Sequence, residues 1–340
     1  MDIPASGPQM VGADIEAFQR STKRRKLSDT STCLFFSIVL ADALKDFAAQ
    51  VHADIEAFLS LDAQHFGKPV AVWRGLAQGA FPELCLRRYS NLDRMLLALV
   101  LRCRQRRHAD ASGLHDFIEY ACGGGNLTLQ CLRHGLRGVG LDKLFGLAHD
   151  VLHPHGLRLW INELSVTKTR SLNWFGTQCS SFVTMCINNS KRSAENSYLG
   201  DETKEFVCRG NMLMNVTALL MMLSFWLGNV PVLEQPLGSV MPKCIPLATA
   251  LAFTGVDRVV TWHKAFGSES MKPLQILSPS VIIQVLKRDK PRGASTRLAR
   301  SNSAGQFTGV KGRMTKSGEY TMPFGACVAR MAKRHLERQV

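Results

Sequence analysis

A glycine-rich turn followed by an acid is the part of the sequence best suited to holding a ligand. Ala121, Gly123 and Gly125 follow closely after Glu119, and Asp142 comes 17 residues after Gly125. Glycines at such a turn let the main chain approach a ligand that a Cβ atom would keep away. An acid about 20 residues further on is spaced to hydrogen-bond the hydroxyls of a ribose. The spacing predicts a nucleotide-type ligand at this turn.

The elements predicted around the turn form a βαβ unit. Residues 117–121 have the pattern of a buried strand, 127–134 that of a helix, and 138–142 that of a second strand ending at Asp142. A strand, a helix and a second strand in this order imply a parallel sheet. We therefore predict an α/β fold, with a Rossmann-like, mostly parallel sheet flanked by helices.

The charge around the turn favours S-adenosylmethionine over a dinucleotide. Dinucleotide sites place a third small residue beneath the pyrophosphate, and that position is Thr128 here. Glu119 would repel a pyrophosphate but attract the cationic amino group of an amino-acid moiety. An NAD-dependent oxidoreductase is the third and weakest hypothesis. The predicted cofactor contacts are Glu119, Ala121, Gly123, Gly125, Asn126, Leu127 and Asp142, with Asp150 beside the adenine.

Two segments resemble the first two motifs of Rossmann-fold S-adenosylmethionine-dependent methyltransferases. They are residues 119–128, which contain the glycine turn, and 135–142, which end in Asp142. The later order of elements is distantly similar to the cytosine-C5 branch of these enzymes. This resemblance implies a methyltransferase-type sheet, Cys179 as the nucleophile and Glu234 as a contact to the base. It also implies that residues 324–328 begin a helix that returns to the cofactor domain.

The chain departs from the cytosine-C5 pattern beside both of these residues. Thr177 and Gln178 stand where that branch has two prolines, and Gln235 and Pro236 follow Glu234 where it has Asn and Val. The stretch 115–330 is more closely similar to an uncharacterised family expanded in dinoflagellate algae, which brings a methyltransferase-like core but no activity. Its signatures are found here at residues 179–182, 199–201, 210–211 and 234–236.

Cys179 has two interpretations. A cysteine just past a strand end, near a helix N-terminus and basic side chains, would have a lowered pKa and thiolate character. It would then attack cytosine C6, with Glu234 as the acid beside N3, and a base within a duplex would first be flipped out. The alternative for Cys179 is a small packed residue, since the chain has nine other cysteines. For Glu234 the alternative is a carboxylate bonded to loop amides.

Composition divides the chain into four parts. We predict a disordered basic tail at 1–30, a helical extension at 31–110, and the cofactor-binding core at 111–255. Residues 256–340 form a basic C-terminal region whose final helix packs on the core. Residues 287–340 contain 13 Lys/Arg and 3 Asp/Glu, and so carry most of the net charge of +15. Such a region suits nucleic acid through counterion release; a solvated basic tail is the alternative.

The cysteine pattern and the N-terminal residues predict an intracellular protein. None of the ten cysteines has Cys-x-x-Cys spacing, and the sequence opens without a secretory pattern, so we expect reduced thiols and no metal. Lys23, Arg24, Arg25 and Lys26 have the composition of a nuclear-import signal; without import the protein is cytoplasmic. The apolar run 212–227 is shorter than the ~20 residues that span a bilayer, so no membrane segment is predicted. The oligomeric state is left open.

Together these features predict a methyltransferase-like protein that uses S-adenosylmethionine and acts on nucleic acid. The main alternative is a non-catalytic descendant of the same fold. It would bind nucleic acid or a protein partner through the basic C-terminal region.

Overall fold

The structure, a computed structural model, describes residues 114–293 and 318–338, together with the backbone of 299–301 and 307–309. The predicted tail at 1–30, with its basic run at 23–26, lies outside the described residues. So do the predicted helical extension at 31–110 and part of the basic C-terminal region.

Six strands form one mostly parallel sheet in the order β2-β1-β3-β4-β6-β5. Strands β1 to β4 are parallel, while β6 is antiparallel to both of its neighbours. This confirms the predicted α/β class with a Rossmann-like sheet. The strands are β1 (His115–Tyr120), β2 (Gly138–Leu141), β3 (Thr167–Phe175), β4 (Val230–Pro236), β5 (Asp257–Trp262) and β6 (Pro273–Ser278). A separate two-stranded sheet pairs β7 (Ala299–Ser301) with β8 (Phe307–Gly309).

Helices cover both faces of the six-stranded sheet. They are α1 (Asn126–Arg133), α2 (Pro154–Ser165), α3 (Ile187–Ser190), α4 (Glu205–Trp226), α5 (Ile245–Thr254) and α6 (Met322–Glu337). Helices α1 and α6 pack on one face, around Phe117, Trp174 and Phe324. Helices α2, α4 and α5 pack on the other face, around Ile118 and Leu233. With both faces covered, nearly every position of β1, β4 and β6 is buried.

The order of the strands reverses between β1 and β3. From β1 the chain passes through α1 to β2 on one side, and β3 then pairs with β1 on the other side. In open α/β sheets, ligands bind outside the carboxyl ends of the strands at such a reversal. The glycine turn, which follows β1, lies at this point of the sheet.

The sheet continues past residue 255, the predicted end of the core. Strands β5 and β6 both lie beyond it and complete the sheet. Residues 281–286, which have a strand-like apolar pattern, instead form a 3-10 helix (Val281–Leu286), with the side chain of Ser280 accepting from the Ile282 N–H. A short apolar pattern in the sequence does not distinguish a β-strand from a 3-10 helix.

Helix α4 is the longest helix among the described residues, and it is largely apolar. By length and composition alone it is the one helix there that could cross a membrane, and 67% of its apolar window is buried inside the protein. Two of its polar side chains bond β3 and the loop after it: Ser224 accepts a hydrogen bond from Asn173 at 2.8 Å, and Thr217 bonds Thr177 at 2.8 Å. These contacts fix α4 against β3 and the loop that follows it.

Candidate functional site

The turn after β1 has open space beside two of its glycines, Gly123 and Gly125. Ala121, Gly123 and Gly125 have φ angles of 57°, 53° and 69°. Among the described residues, no atom lies within 4 Å of a Cβ added to Gly123 or Gly125. The glycines therefore supply a left-handed backbone, and the space beside them is open to a ligand.

Asp142 is held facing this turn. It directly follows β2 and is only 8% exposed. Its Oδ2 accepts a hydrogen bond from the Gly123 N–H at 2.9 Å, and its Oδ1 accepts from the Leu144 N–H at 2.9 Å. A carboxylate has about four lone-pair sites. Asp142 is therefore fixed in place and can still accept hydrogen bonds from two hydroxyl groups.

Glu119 lies inside the protein, beneath the turn. It is fully buried on β1, and its Oε2 accepts from the Thr128 N–H at 2.8 Å and the Thr128 hydroxyl at 2.6 Å. Its Oε1 has no partner among the described residues. Burial raises the pKa of Glu119 to about 7, against the opposing effect of the Thr128 hydrogen bonds. Glu119 thus stabilises the first turn of α1 from within, rather than lining the open side of the glycine turn.

Asn126 and Leu127 join the turn to the C-terminal helix. The Asn126 side-chain amide donates to the Tyr320 carbonyl at 2.8 Å, and Leu127 is fully buried. A Cβ added to Gly325 would lie 3.1 Å from the Asn126 carbonyl oxygen and 3.2 Å from the Leu127 Cα. Glycine at 325 therefore permits the close approach of α6 to α1.

Asp150 is occupied by protein partners. Its Oδ2 pairs with the Arg209 guanidinium at 2.6 Å, and its Oδ1 accepts from the Leu152 N–H at 3.0 Å. These contacts tie the loop after β2 to α4. Between Asp142 and Asp150 the loop presents large exposed apolar side chains at Leu144 and Phe145.

Cys179 and Glu234 lie near one another at the carboxyl ends of neighbouring strands. Cys179 follows β3 and Glu234 lies in β4, which pairs with β3 in parallel. The charge of Glu234 raises the pKa of Cys179, and the charge of Lys272 lowers it. The predicted catalytic pair therefore shares one electrostatic environment with a lysine that the sequence did not indicate.

The expectation of a lowered pKa at Cys179 is wrong. Burial is the largest influence and raises the pKa of the thiol to about 11, despite the nearby Lys272. Desolvation disfavours the thiolate more than one neighbouring cation stabilises it. In this structure Cys179 is a thiol at neutral pH.

Glu234 is held by a chain of buried hydrogen bonds. The Tyr320 hydroxyl donates to Glu234 Oε2 at 3.0 Å and accepts from the Trp174 indole N–H at 2.9 Å. The second carboxyl oxygen, Oε1, is buried without a partner among the described residues. Burial raises the pKa of Glu234, and Lys272 and the Tyr320 hydrogen bond oppose that shift. Glu234 is thus oriented through Oε2, while its buried Oε1 is left without a hydrogen-bond donor among the described residues.

No protein-family model matches the chain, and no curated protein matches its sequence. The resemblance drawn from the motifs accordingly stays a prediction.

Three further residues complete the site, and sequence reasoning did not find them. Tyr320 is buried between the turn and Glu234, since its carbonyl accepts from Asn126 and its hydroxyl donates to Glu234. Glycine at 176 leaves room for this hydroxyl, because an added Cβ would lie 3.0 Å from it. Lys272 precedes β6. His263 follows β5, and its ring centroid lies 6.2 Å from that of Tyr320. They come from segments far apart in the chain, and no local spacing connects them.

His263 is a buried neutral histidine. It is 1% exposed, and neither ring nitrogen has a partner among the described residues. Burial, with the charge of Lys272, lowers its pKa to about 4. Across the described residues, no group of three or more His, Cys, Asp or Glu side chains is arranged to hold a metal ion.

Three of the four signature segments meet at one buried arginine. Arg192 is 2% exposed, and it donates to the carbonyl and hydroxyl oxygens of Ser181, to the Leu199 carbonyl and to Asn211 Oδ1. A Cβ added to Gly210 would lie 2.3 Å from the Ser181 hydroxyl, so only glycine fits there. Burial lowers the pKa of Arg192 to about 10. These signatures are therefore explained by a structural junction that fixes the loop beginning at Cys179.

Proposed function

We propose that the glycine turn binds S-adenosylmethionine and that the protein is a methyltransferase-like enzyme. The observation that carries this proposal is the open main chain at Gly123 and Gly125 facing an anchored carboxylate at Asp142. A flat adenosyl group can approach bare main chain, and a fixed acid can accept both hydroxyls of its ribose. The residues present thus fit the proposed cofactor.

The hydrogen bonds inside the turn argue against a dinucleotide. A pyrophosphate is bound by free main-chain N–H groups at such a turn. Here the Gly123 N–H donates to Asp142 and the Gly125 N–H donates to the Cys122 carbonyl, each at 2.9 Å. The reversed strand β6 also differs from the usual order 3-2-1-4-5-6 of dinucleotide-binding sheets. A ligand that carries positive charge suits this turn better than a pyrophosphate does.

The acceptor is proposed to bind on the side of Cys179 and Glu234. When bound, S-adenosylmethionine supplies an electrophilic methyl group on its sulfonium sulfur. Tyr320 orients Glu234, whose free Oε1 can accept a hydrogen bond from an acceptor N–H or O–H and then hold its proton. The raised pKa of Glu234 favours that proton uptake. Because Cys179 is protonated at neutral pH, direct transfer to the acceptor is preferred over covalent attack by the thiol.

A surface rich in basic and aromatic side chains supports nucleic acid as the acceptor. Strand β5 runs parallel to β4, since both are antiparallel to β6, and so ends at the same sheet edge as Glu234. Next to that end, the Lys290 ammonium lies 5.5 Å from the Trp262 ring centroid, and the Arg288 guanidinium lies 5.3 Å from that of Phe266. We call this surface the basic strip; its basic residues are Lys264, Lys287, Arg288, Lys290 and Arg292, and one acid, Asp289, lies among them.

The basic strip provides the two features that single-stranded nucleic acid requires. Cations neutralise phosphates, and an aromatic ring at a partly exposed position offers a stacking surface for a base. Trp262 is such a ring, at the end of an edge strand. A bound nucleic-acid strand would run along the same edge of the sheet as the glycine turn.

Two binding measurements test the proposal. Calorimetric titration with S-adenosylhomocysteine should give one site per chain; no binding at high micromolar ligand would favour the alternative, a non-catalytic protein that binds nucleic acid. Fluorescence anisotropy with a single-stranded oligonucleotide should show affinity that falls steeply between about 50 and 200 mM salt. A flat salt response would remove nucleic acid from the proposal.

The covalent route has its own test. A 5-fluorocytosine oligonucleotide traps an enzyme that attacks C6 through cysteine, because the adduct cannot lose the fluorine. With direct transfer we expect no adduct. An adduct that disappears in Cys179→Ser would restore Cys179 as the nucleophile, and an adduct that persists there would assign it to another residue.

A further inference from the structure

Lys272 and His263 lie opposite one another just past the ends of two paired strands. Strands β5 and β6 are antiparallel, and their last registered pair is Trp262 with Pro273. One position further, the His263 N–H donates to the Lys272 carbonyl at 3.0 Å, so the pairing continues. Directly opposite residues of antiparallel strands have their side chains on the same face of the sheet. That face is the one covered by α6, since the His263 ring centroid lies 6.2 Å from that of Phe324.

Glu234 lies on the same face but deeper in the sheet. Its carboxyl group bonds the Tyr320 hydroxyl, and the Tyr320 ring contacts His263. Glu234 is within β4, whereas Lys272 and His263 lie beyond the ends of β6 and β5. We call these three residues the edge cluster, with Glu234 at its floor and Lys272 and His263 at its rim.

Two members of the edge cluster have buried polar atoms without a partner among the described residues. These atoms are Oε1 of Glu234 and both ring nitrogens of His263. A buried polar atom without a hydrogen bond costs about 1–3 kcal/mol, so a native protein seldom keeps one unless a bound molecule or a function accounts for it. Lys272 is only partly buried, and the rim is therefore within reach of solvent. Floor and rim both carry groups that a ligand would satisfy.

Lys272 supplies a positive charge that acts on the whole edge cluster. This charge lowers the pKa of His263 and of Cys179, and it opposes the rise in the pKa of Glu234. His263 is neutral and Cys179 is a thiol at neutral pH, so neither of them cancels the charge of Lys272. The rim is therefore suited to an anion, while the floor is suited to an N–H or O–H donor.

We propose that Lys272 and His263 bind a backbone phosphate of the nucleic-acid acceptor at the rim of the edge cluster. This inference rests on the proposed function. The Lys272 ammonium pairs with the phosphate, and a ring nitrogen of His263 donates to it. A nucleotide that enters base first leaves its phosphate at the rim and brings its N–H groups to Glu234. The neighbouring phosphates then follow the basic strip, because Trp262 and Lys264 flank His263 in the chain.

The salt dependence of binding tests the lysine contact. Fluorescence anisotropy with a labelled single-stranded oligonucleotide would compare the full-length wild-type chain with Lys272→Gln and Lys272→Arg. The control is Lys333→Gln, because Lys333 is exposed and contacts the end of α1. In Lys272→Gln, loss of one phosphate contact should lower the slope of log affinity against log salt by about 0.7. The affinity itself should fall about fivefold. Lys272→Arg keeps the charge and should keep the wild-type slope.

His263→Phe tests the second contact through stability as well as affinity. Phenylalanine keeps a planar ring but has no polar atoms. Because the nitrogens of His263 have no partner among the described residues, the Tm of His263→Phe without ligand should equal or exceed that of the wild type. Oligonucleotide affinity should nevertheless fall about threefold. A histidine with a structural role alone would show the opposite pattern, a lower Tm with unchanged affinity.

The outcomes separate this inference from the proposed function. A smaller salt slope in Lys272→Gln, absent from Lys272→Arg and Lys333→Gln, supports the phosphate contact. Parallel salt slopes for the wild type and Lys272→Gln would overturn it, as would wild-type affinity in His263→Phe. If Lys272→Gln cannot be isolated folded, His263→Phe still decides. If the wild type does not bind the oligonucleotide at all, the proposed acceptor fails and this inference fails with it.

Discussion

Replacing Gly125 by alanine separates the folding role of the glycine turn from its binding role. Gly125 has φ of 69°, and its added Cβ would meet no atom of the described residues within 4 Å. The folded protein without ligand therefore bears only the cost of a left-handed alanine, about 1–2 kcal/mol. For a domain of this size that lowers Tm by about 2–8 °C. The new methyl group would occupy the space assigned to the cofactor.

The expected loss of affinity comes in addition to this loss of stability and is measured separately. Forcing a methyl group into a fitted contact costs about 1–3 kcal/mol, which corresponds to roughly 5- to 150-fold weaker binding. Calorimetric titration with S-adenosylhomocysteine measures it, and a thermal melt without ligand measures Tm. Gly255→Ala is the matched control, because Gly255 also has positive φ (65°) and open space, at the C-terminal end of α5.

The two variants should have similar Tm values and different affinities. If folded Gly125→Ala binds S-adenosylhomocysteine as tightly as Gly255→Ala does, the main chain at Gly125 does not face the ligand. If neither variant can be isolated folded, melts of the wild type with and without ligand still report on the site. Saturating ligand should raise the wild-type Tm, since it binds the native state alone.

Three further substitutions follow from the geometry. Asp142→Asn removes the charge that is proposed to accept the ribose hydroxyls, and S-adenosylhomocysteine should bind about 10- to 100-fold more weakly; the exposed control Asp257→Asn should not change its affinity. Glu119 has a pKa raised to about 7, so the stabilisation from its protonated form is complete below pH 4.5 and is lost as pH rises through about 7. Between pH 5 and pH 8 the free energy of unfolding of the wild type, measured in urea, should therefore fall by about 3 kcal/mol relative to that of Glu119→Gln. Parallel pH profiles for the two proteins would contradict a buried carboxyl group with a raised pKa. In Arg192→Lys the ammonium group cannot donate to all the oxygens that surround the guanidinium, so Tm should fall by about 6–12 °C. A Tm equal to that of the exposed control Arg330→Lys would refute the structural role of Arg192.

The first half of the site could be predicted because its signals are local. The strand before the turn, the glycines, the helix and the acid at Asp142 all lie within 28 residues, from 115 to 142. Right-handed βαβ geometry brings the ends of the two strands together without further information. That geometry is why the spacing of Gly125 and Asp142 predicted an arrangement in which the carboxylate faces the turn.

The rest of the site could not be predicted because it depends on solvation and on contacts distant in sequence. The position of Cys179 after a strand suggested a thiolate, but burial decides the pKa, and burial follows from packing around the whole loop. Glu119 has the residue type and the position expected of a cofactor contact, yet a hydrogen bond from Thr128 holds its carboxylate inside the protein. Tyr320 contacts Asn126 across 194 positions of the chain, a separation that no motif spans.

Tyr320 gives the two halves of the site a common support. Its carbonyl holds Asn126 at the start of α1, and its hydroxyl holds Glu234 on the acceptor side. Its buried ring stacks on Phe324, with centroids 5.0 Å apart, so it moves only with α6. We therefore expect a ligand that shifts the glycine turn to act on Glu234 through Tyr320, and a displaced Glu234 to act back on the turn by the same route. Because such coupling is reciprocal, Tyr320→Phe, which keeps the ring and the carbonyl but removes the hydroxyl, should leave cofactor affinity nearly intact while abolishing any effect of the acceptor on it.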